Sequence, residues 1–191
     1  YSKNTIGTFY EPIQTIIDLQ FLKTLPEKEL FNGYVEMWKI GLIADPDFFD
    51  HWEPFAVERA RIIKTRIVQA DPYDQGIRRS LNFGHTLGHA FETVSDYTLS
   101  HGEAVAAGIA LEARLSVEMG LLSRNELTRI ESRFPQPHIS LDPEAVLKTL
   151  RLDKKGEFRF ILLKAIGQPI EYSVPEFLIR KVLHDAALCA C

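Results

Sequence analysis

Two histidines stand four residues apart in the stretch Asn82-Phe83-Gly84-His85-Thr86-Leu87-Gly88-His89-Ala90. On a helix this spacing puts both imidazoles on one face, where they can hold a divalent metal. On spacing alone, two polar side chains on a solvated face are an equally good reading. Gly84 and Gly88 tip the balance, because each costs a helix about 1 kcal/mol relative to alanine. That cost is easier to understand if a ligand or another backbone approaches the same face. His101 opens the small-residue run His101-Gly102-Glu103-Ala104, and a loop-to-helix junction there can aim its ring at a neighbouring helix. A catalytic zinc takes three nitrogen, oxygen or sulfur ligands from the protein and keeps one position open, so an acid would complete the set. The most conspicuous carboxylate is Glu36, among Val35, Met37 and Trp38. Its ordinary reading is a surface ion pair with Lys39 three residues on, and spacing favours that. Candidate anion-binding groups are Lys3-Asn4, Lys64, Arg78, Asn82 and Lys154-Lys155. Each alone reads as a solvated surface group, and their weight lies in combination.

These residues need rigid elements to carry them, and helical periodicity supplies most. Pro26 with Glu27 and Glu29 predicts a helix over 27–44, stopped by Asp45-Pro46. Pro54 opens another to about Gln69, before the turn-rich run from Asp71 to Gly76. Residues 81–94 and 104–119 are both periodic, and the short polar connection 95–100 makes them neighbours. Ser123 with Glu126 forms a capping box for a helix to about Phe134, and Asp142-Pro143 starts one that ends near Leu152. Pro175 opens a terminal amphipathic helix. Strand character is confined to Glu157–Leu163 and to Gln14–Leu19, which reads as a brief buried strand. The fold class is mainly α, with one or two short strands.

The 191 residues, 46% hydrophobic, suffice for one real core. A net charge of −4, from 26 acidic and 22 basic side chains without long like-charge runs, argues against nucleic-acid or membrane-surface partners. No apolar run reaches the length of a membrane span. The two cysteines, Cys189 and Cys191, stand too close for a structural disulfide, which fits a reducing cytoplasm. The opening run from Tyr1 reads like the middle of a loop.

Taken in order, K-N-x-I-G-x-F from Lys3, E-x-x-K-x-G-L-I-x-D from Glu36, R-x-x-L-N-F-G-H-T-x-G-H-A-x-E from Arg78, H-G-E-A-V-A-x-G from His101 and the D-K-K ending at Lys155 resemble 3-dehydroquinate synthases. The later I-L-L-x-x-I-G from Ile161 fits as well. The resemblance implies a carbon-oxygen lyase of two domains, with NAD and substrate in the cleft between a nucleotide-binding domain and a multi-helical, metal-binding C-terminal domain. It implies that residues 1–191 are the helical metal- and substrate-binding domain, that the NAD-binding domain has no counterpart here, and that this chain alone is an incomplete catalyst. The implied substrate is a sugar acid phosphate, 3-deoxy-D-arabino-heptulosonate 7-phosphate, and the products are 3-dehydroquinate and phosphate, made by a cytoplasmic homodimer.

By the same resemblance Glu36, His85 and His101 match the ligands of a zinc or cobalt ion, so His89 becomes a site residue and not a ligand. Lys39, Lys64, Arg78 and Asn82 match the substrate pocket, with Arg78 on the carboxylate. Asn4, His89 and one lysine of the Lys154-Lys155 pair, taken as Lys154, match the surroundings of the phosphate, and Lys3 is a further substrate-binding residue. One departure is Asp74, where the family usually has glutamate in the loop before the arginine. Two other readings remain open: another sugar phosphate cyclase of the 2-deoxy-scyllo-inosose synthase type, and a non-catalytic zinc-binding helical module.

Overall fold

Most helices begin at a start signal that can be read in the sequence. The computed structural model describes residues 6–7, 10, 13–51, 56–134, 142–153 and 157–188. Helix α1 (Glu27–Ala44) follows Pro26 and carries Glu27 and Glu29 in its first turn, where free N–H groups favour negative charge. Asp45 ends it and caps the short α2 (Pro46–Asp50) by accepting from Phe48 N at 3.0 Å. Next come α3 (Ala56–Ala70), a 3-10 helix (Ile77–Asn82), α4 (His85–Val94) and α5 (His101–Glu118). Ser100 and Glu103 form a capping box at the start of α5, and Ser123 caps α6 (Arg124–Arg133). After α7 (Pro143–Asp153), an antiparallel hairpin of β1 (Arg159–Ala165) and β2 (Gln168–Ser173) leads to α8 (Glu176–Leu188).

Helix α5 is the axis of the molecule. It packs against α1, α4, α6, α8 and β1, and every residue from Ala104 to Ala113 is buried. A helix apolar on all sides belongs in a core. Val105, Ile109 and Ala113 face one apolar cluster with Val35, Phe49 and Phe83, and Ala107, Leu111 and Leu115 face another with Leu87, Leu147 and Ile179. Strand β1 divides its side chains between the same two clusters by its alternation of faces, with Ile161 and Leu163 in the first and Phe160 and Leu162 in the second.

Three glycines let α4 and α5 approach backbone to backbone. A Cβ at Gly88 would lie 3.2 Å from Val105 Cα, and one at Gly84 2.9 Å from Ile109 N. A Cβ at Gly108 would enter the carbonyl oxygen of Gly84. The glycine cost noted in the sequence is therefore explained by another backbone and not by a ligand.

Three expectations are corrected. Helix α4 does not begin at residue 81, because Gly84 sits at φ +80°, a left-handed conformation that separates the 3-10 helix from α4. Gln14–Leu19 is not a buried strand: residues 14–18 have no regular structure, a 3-10 helix (Leu19–Thr24) follows, and Ile16 and Phe21 are exposed. Its β-branched composition suits a sheet, but no described strand pairs with it. The strand expected from Glu157 begins at Arg159. The remaining helix boundaries agree within a few residues; the α3 start expected at Pro54 lies outside the described residues.

Gly108→Ala is expected to cost about 3 kcal/mol by overpacking and to lower Tm by roughly 6–12 °C for a chain of this length. Gly33→Ala, at an exposed α1 position with nothing within 4 Å of the added Cβ, should instead stabilise by about 1 kcal/mol. Thermal and urea unfolding of the two variants read the opposite signs directly.

Candidate active site

Glu36 lies inside α1, His85 is the first residue of α4 and His101 the first residue of α5. The close packing of α4 on α5 brings the two rings to 5.4 Å between centroids, and α1 sets Glu36 against both. Glu36 Oε1 is 3.4 Å from His85 Nε2 and 3.5 Å from His101 Nε2. One donor atom from each of the three residues lies within 4.8 Å of the others.

The other nitrogen of each ring is already engaged. His85 Nδ1 is 3.2 Å from the Phe83 carbonyl oxygen, and His101 Nδ1 is 3.1 Å from Glu92 Oε1. A carbonyl oxygen or a carboxylate can only accept, so in the neutral rings Nδ1 carries the proton and the Nε2 lone pair faces Glu36. Glu36 Oε2 accepts from Lys39 Nζ at 2.8 Å, while Oε1 is buried with no hydrogen-bond partner among the described residues. Three lone pairs thus converge on one point. Such an arrangement is costly without a proton or a cation between them, and two imidazoles with one carboxylate form a donor set able to hold zinc or cobalt.

The charge states agree with that use. Burial works to raise the Glu36 carboxyl, but the His101 ring and the Lys39 ammonium, with His85 behind them, bring it down to about 2. Burial and the Lys39 charge push His85 down to about 4. Glu36 lifts His101 above its ordinary range against the effect of burial, and Glu92 adds to the lift. Lys39 itself is 3% exposed, and burial lowers its pKa although Glu36 opposes the change. The Glu36–Lys39 pair expected from the spacing therefore exists, but it is half-buried and not a surface pair, because its lysine is almost wholly enclosed.

Beside this cluster opens a cleft of about 540 Å³ whose walls include Glu36, Lys39, Lys64, Arg78, Asn82 and His85. Arg61 and Asp74, for which the sequence reading offered no pocket role, line it as well. Asp71 shapes the loop that carries Arg78: its carboxylate accepts from Gln75 N, Gly76 N and Arg78 N at 3.0, 2.7 and 3.1 Å. Arg78 Nη1 donates to the Pro72 carbonyl at 2.8 Å. His89 does not line this cleft; it is exposed, one turn along α4, with its ring 5.4 Å from that of His85 and 6.3 Å from that of His101. Lys3, Asn4 and Lys154 lie outside the described residues.

Glu112 was missed by sequence reasoning. It is fully buried, and its carboxylate accepts from Gly84 N at 2.7 Å and Leu87 N at 3.1 Å, satisfying free N–H groups at the start of α4. The signal that singled out Glu36, an acid inside an apolar helix, was present here too.

Residues 33–156 match the family model described as 3-dehydroquinate synthase C-terminal. A 3-dehydroquinate synthase of Dehalococcoides mccartyi is 39% identical, the match covering 88% of this chain and 53% of that protein. One from Nitrosospira multiformis is 38% identical over 96% of this chain and 57% of its own length. The chain thus spans about half the length of the curated relatives it matches. Among solved structures, a 2-epi-5-epi-valiolone synthase from Streptomyces hygroscopicus subsp. jinggangensis 5008 with NAD+ and Zn2+ bound aligns with TM-score 0.83 and 27% identity, covering 98% of this chain and 59% of that one. A 2-deoxy-scyllo-inosose synthase complexed with carbaglucose-6-phosphate, NAD+ and Co2+ aligns with TM-score 0.85 over 96% of this chain and 59% of that one; at 22% identity it speaks for the fold alone.

The shifted groups predict an acid limb of stability in the metal-free chain. Folded His85 titrates near 4, below its unfolded value near 6.5, so the unfolded chain binds the proton first and stability falls as pH drops from about 6.5 to 4. Glu36 extends the loss from about pH 4.5 towards 2. His101 acts in the opposite sense, adding stability below pH 6.5 that is lost as pH rises through its raised pKa. The His85 part is worth on the order of 3 kcal/mol. Urea titrations in chelator between pH 7 and 4 should show this limb, and His85→Asn should flatten it.

Proposed function

The chain belongs to the 3-dehydroquinate synthase family, and we propose that it forms the metal-holding, substrate-binding part of an enzyme that converts 3-deoxy-D-arabino-heptulosonate 7-phosphate to 3-dehydroquinate and phosphate in the shikimate pathway. One observation carries this reading: three inward-facing lone pairs converge beside a cleft that Glu36 and His85 help to line and that also presents Lys39, Lys64, Arg78 and Asn82. A cation site beside groups that bind anions and hydroxyls suits an acidic, phosphorylated polyol. In this reading residues 1–191 are one helical body, the main NAD-binding part lies outside them, and the complete enzyme works as a cytoplasmic homodimer. No described helix is long and apolar enough to cross a membrane.

Glu36, His85 and His101 would hold zinc or cobalt; the bound ion supplies Lewis acidity toward adjacent hydroxyl and carbonyl oxygens, and NAD a transient hydride acceptor. Arg78 suits the substrate carboxylate, because its planar fork donates two charge-assisted bonds and Asp71 already fixes its backbone. Lys39 occupies Glu36 Oε2 and so leaves Oε1 as the donor turned to the cluster. Lys64 and Asn82, which line the same cleft, would hold substrate oxygens. His89, exposed beside His101, would donate to phosphate or relay a proton, and Lys3, Asn4 and one lysine of the Lys154-Lys155 pair would help to bind the substrate. The phosphate's own oxygen helps the elimination, which leaves the chain's residues to orient anions and shield the intermediates.

The second reading, a cyclase of the 2-deoxy-scyllo-inosose synthase type, is favoured by the shared fold; its substrate lacks a carboxylate, and Arg78 in the cleft argues for one. In an active enzyme containing this chain, Arg78→Ala is expected to raise the KM for the heptulosonate phosphate roughly 10- to 100-fold, the loss of a charge-assisted contact of about 1.5–3 kcal/mol. Binding of carbaglucose-6-phosphate should not change. Equal losses for the two ligands would favour the second reading. His101→Ala should lower bound zinc from one per chain to below about a tenth, and stoichiometric zinc in that variant would sink the ligand assignment. Zinc binding by the unaltered chain, with no phosphate release by any enzyme that contains it, would leave a metal-binding module.

A further inference from the structure

The motif that opens with Arg78 closes with Glu92, a carboxylate that neither the metal set nor the cleft uses. It follows His85 by two helical turns on α4 and so projects from the same face. Its side chain is only 12% exposed. Glu92 Oε1 is 3.1 Å from His101 Nδ1, the ring nitrogen turned away from the cluster, while Nε2 of the same ring is 3.5 Å from Glu36 Oε1. We propose that Glu92 is a positioning residue, which accepts the Nδ1–H of His101 and thereby fixes the tautomer and rotation of the ring so that the Nε2 lone pair stays on the metal site.

The inference rests on the metal reading of Glu36, His85 and His101, and chemistry makes the lock necessary. A free imidazole side chain favours the tautomer with its proton on Nε2, which would turn a donor N–H and not a lone pair toward the cluster. The ring torsion is broad and roughly two-fold, so packing alone does not choose between the two edges of the ring. An acceptor on the Nδ1 side resolves both ambiguities, and such partners tune metal sites generally. His85 receives the same treatment from the Phe83 carbonyl at 3.2 Å, a backbone group that side-chain substitution does not remove. For His101 the acceptor is a side chain and can be deleted.

The backbone under His101 is held separately. Gly102 N donates to Asn32 Oδ1 at 2.8 Å, which ties the start of α5 to α1 one turn before Glu36. The glycine contacts hold α4 on α5. Removing the Glu92 carboxylate therefore frees the ring while its attachment point stays in place. A merely structural Glu92–His101 ion pair predicts the reverse, a loss of stability with zinc affinity unchanged.

The test measures zinc dissociation constants of the 191-residue chain by competition with a chromophoric chelator, for the unaltered protein, Glu92→Ala and Glu92→Gln. It also reads the 15N shifts of the His101 ring in the metal-free proteins at a pH where the ring is neutral. Glu92→Ala should bind zinc roughly 10- to 100-fold more weakly. Glu92→Gln keeps an acceptor oxygen and should recover much of that loss. The ring should report Nδ1–H in the unaltered chain and shift towards Nε2–H in Glu92→Ala. Unchanged zinc affinity and an unchanged tautomer in Glu92→Ala would overturn the inference. If the unaltered chain binds no zinc, the metal reading fails by itself, and the ring tautomer still decides whether Glu92 orients His101.

Discussion

The backbones of α4 and α5 touch, and the position of the proposed metal centre follows from that contact. Gly84 faces Ile109, Gly88 faces Val105, and Glu92 faces His101, so the pairings run in opposite directions along two antiparallel helices. A single Cβ between them would push the helices apart. The two histidines stand at the first residue of each helix, and any separation of the axes separates their rings. Glu112 secures the same contact from within α5 by accepting from two N–H groups at the start of α4. A buried carboxylate needs partners of this kind, and the start of a helix provides unsatisfied donors and a favourable dipole.

Around that contact the charges are arranged unevenly. Lys39 is almost wholly buried, a position that an ammonium tolerates only with anions close by. Glu36 bonds to it directly, and Glu112 adds an attraction through space. The consequence reaches the histidines: the His101 ring and Lys39 together keep Glu36 ionised, and burial with the Lys39 charge keeps His85 neutral. One buried cation thus contributes to the protonation states that a metal requires in two of the three ligand groups. The cleft beyond continues the positive character with Arg61, Lys64 and Arg78, which suits an anionic ligand approaching the same end.

Helix starts at Pro26, Ser123 and Asp142-Pro143 were legible because capping is a local matter of one or two side chains. The break at Gly84 was not, since apolar periodicity runs through a single left-handed residue without interruption. The 14–19 segment was misread for a related reason: β-branched composition favours a strand, but pairing is decided by a partner elsewhere. Glu36 carried two competing readings that proved compatible, because its two oxygens face different neighbours. Glu92 and Glu112 act across a helix pair, and the sequence alone does not show which side chains meet there. Arg78, Lys39, Lys64 and Asn82, placed in the cleft by family motif, do share one cleft with Glu36 and His85, while His89 stands outside its walls.

Glu36, His85 and His101 would converge on one cation, with His89 left out. A zinc-soaked crystal of the chain, with anomalous data collected on both sides of the zinc edge, locates the ion directly. A single peak is expected about 2.0–2.2 Å from Glu36 Oε1, His85 Nε2 and His101 Nε2. A peak shared by His85 and His89, with His101 turned away, would contradict that assignment.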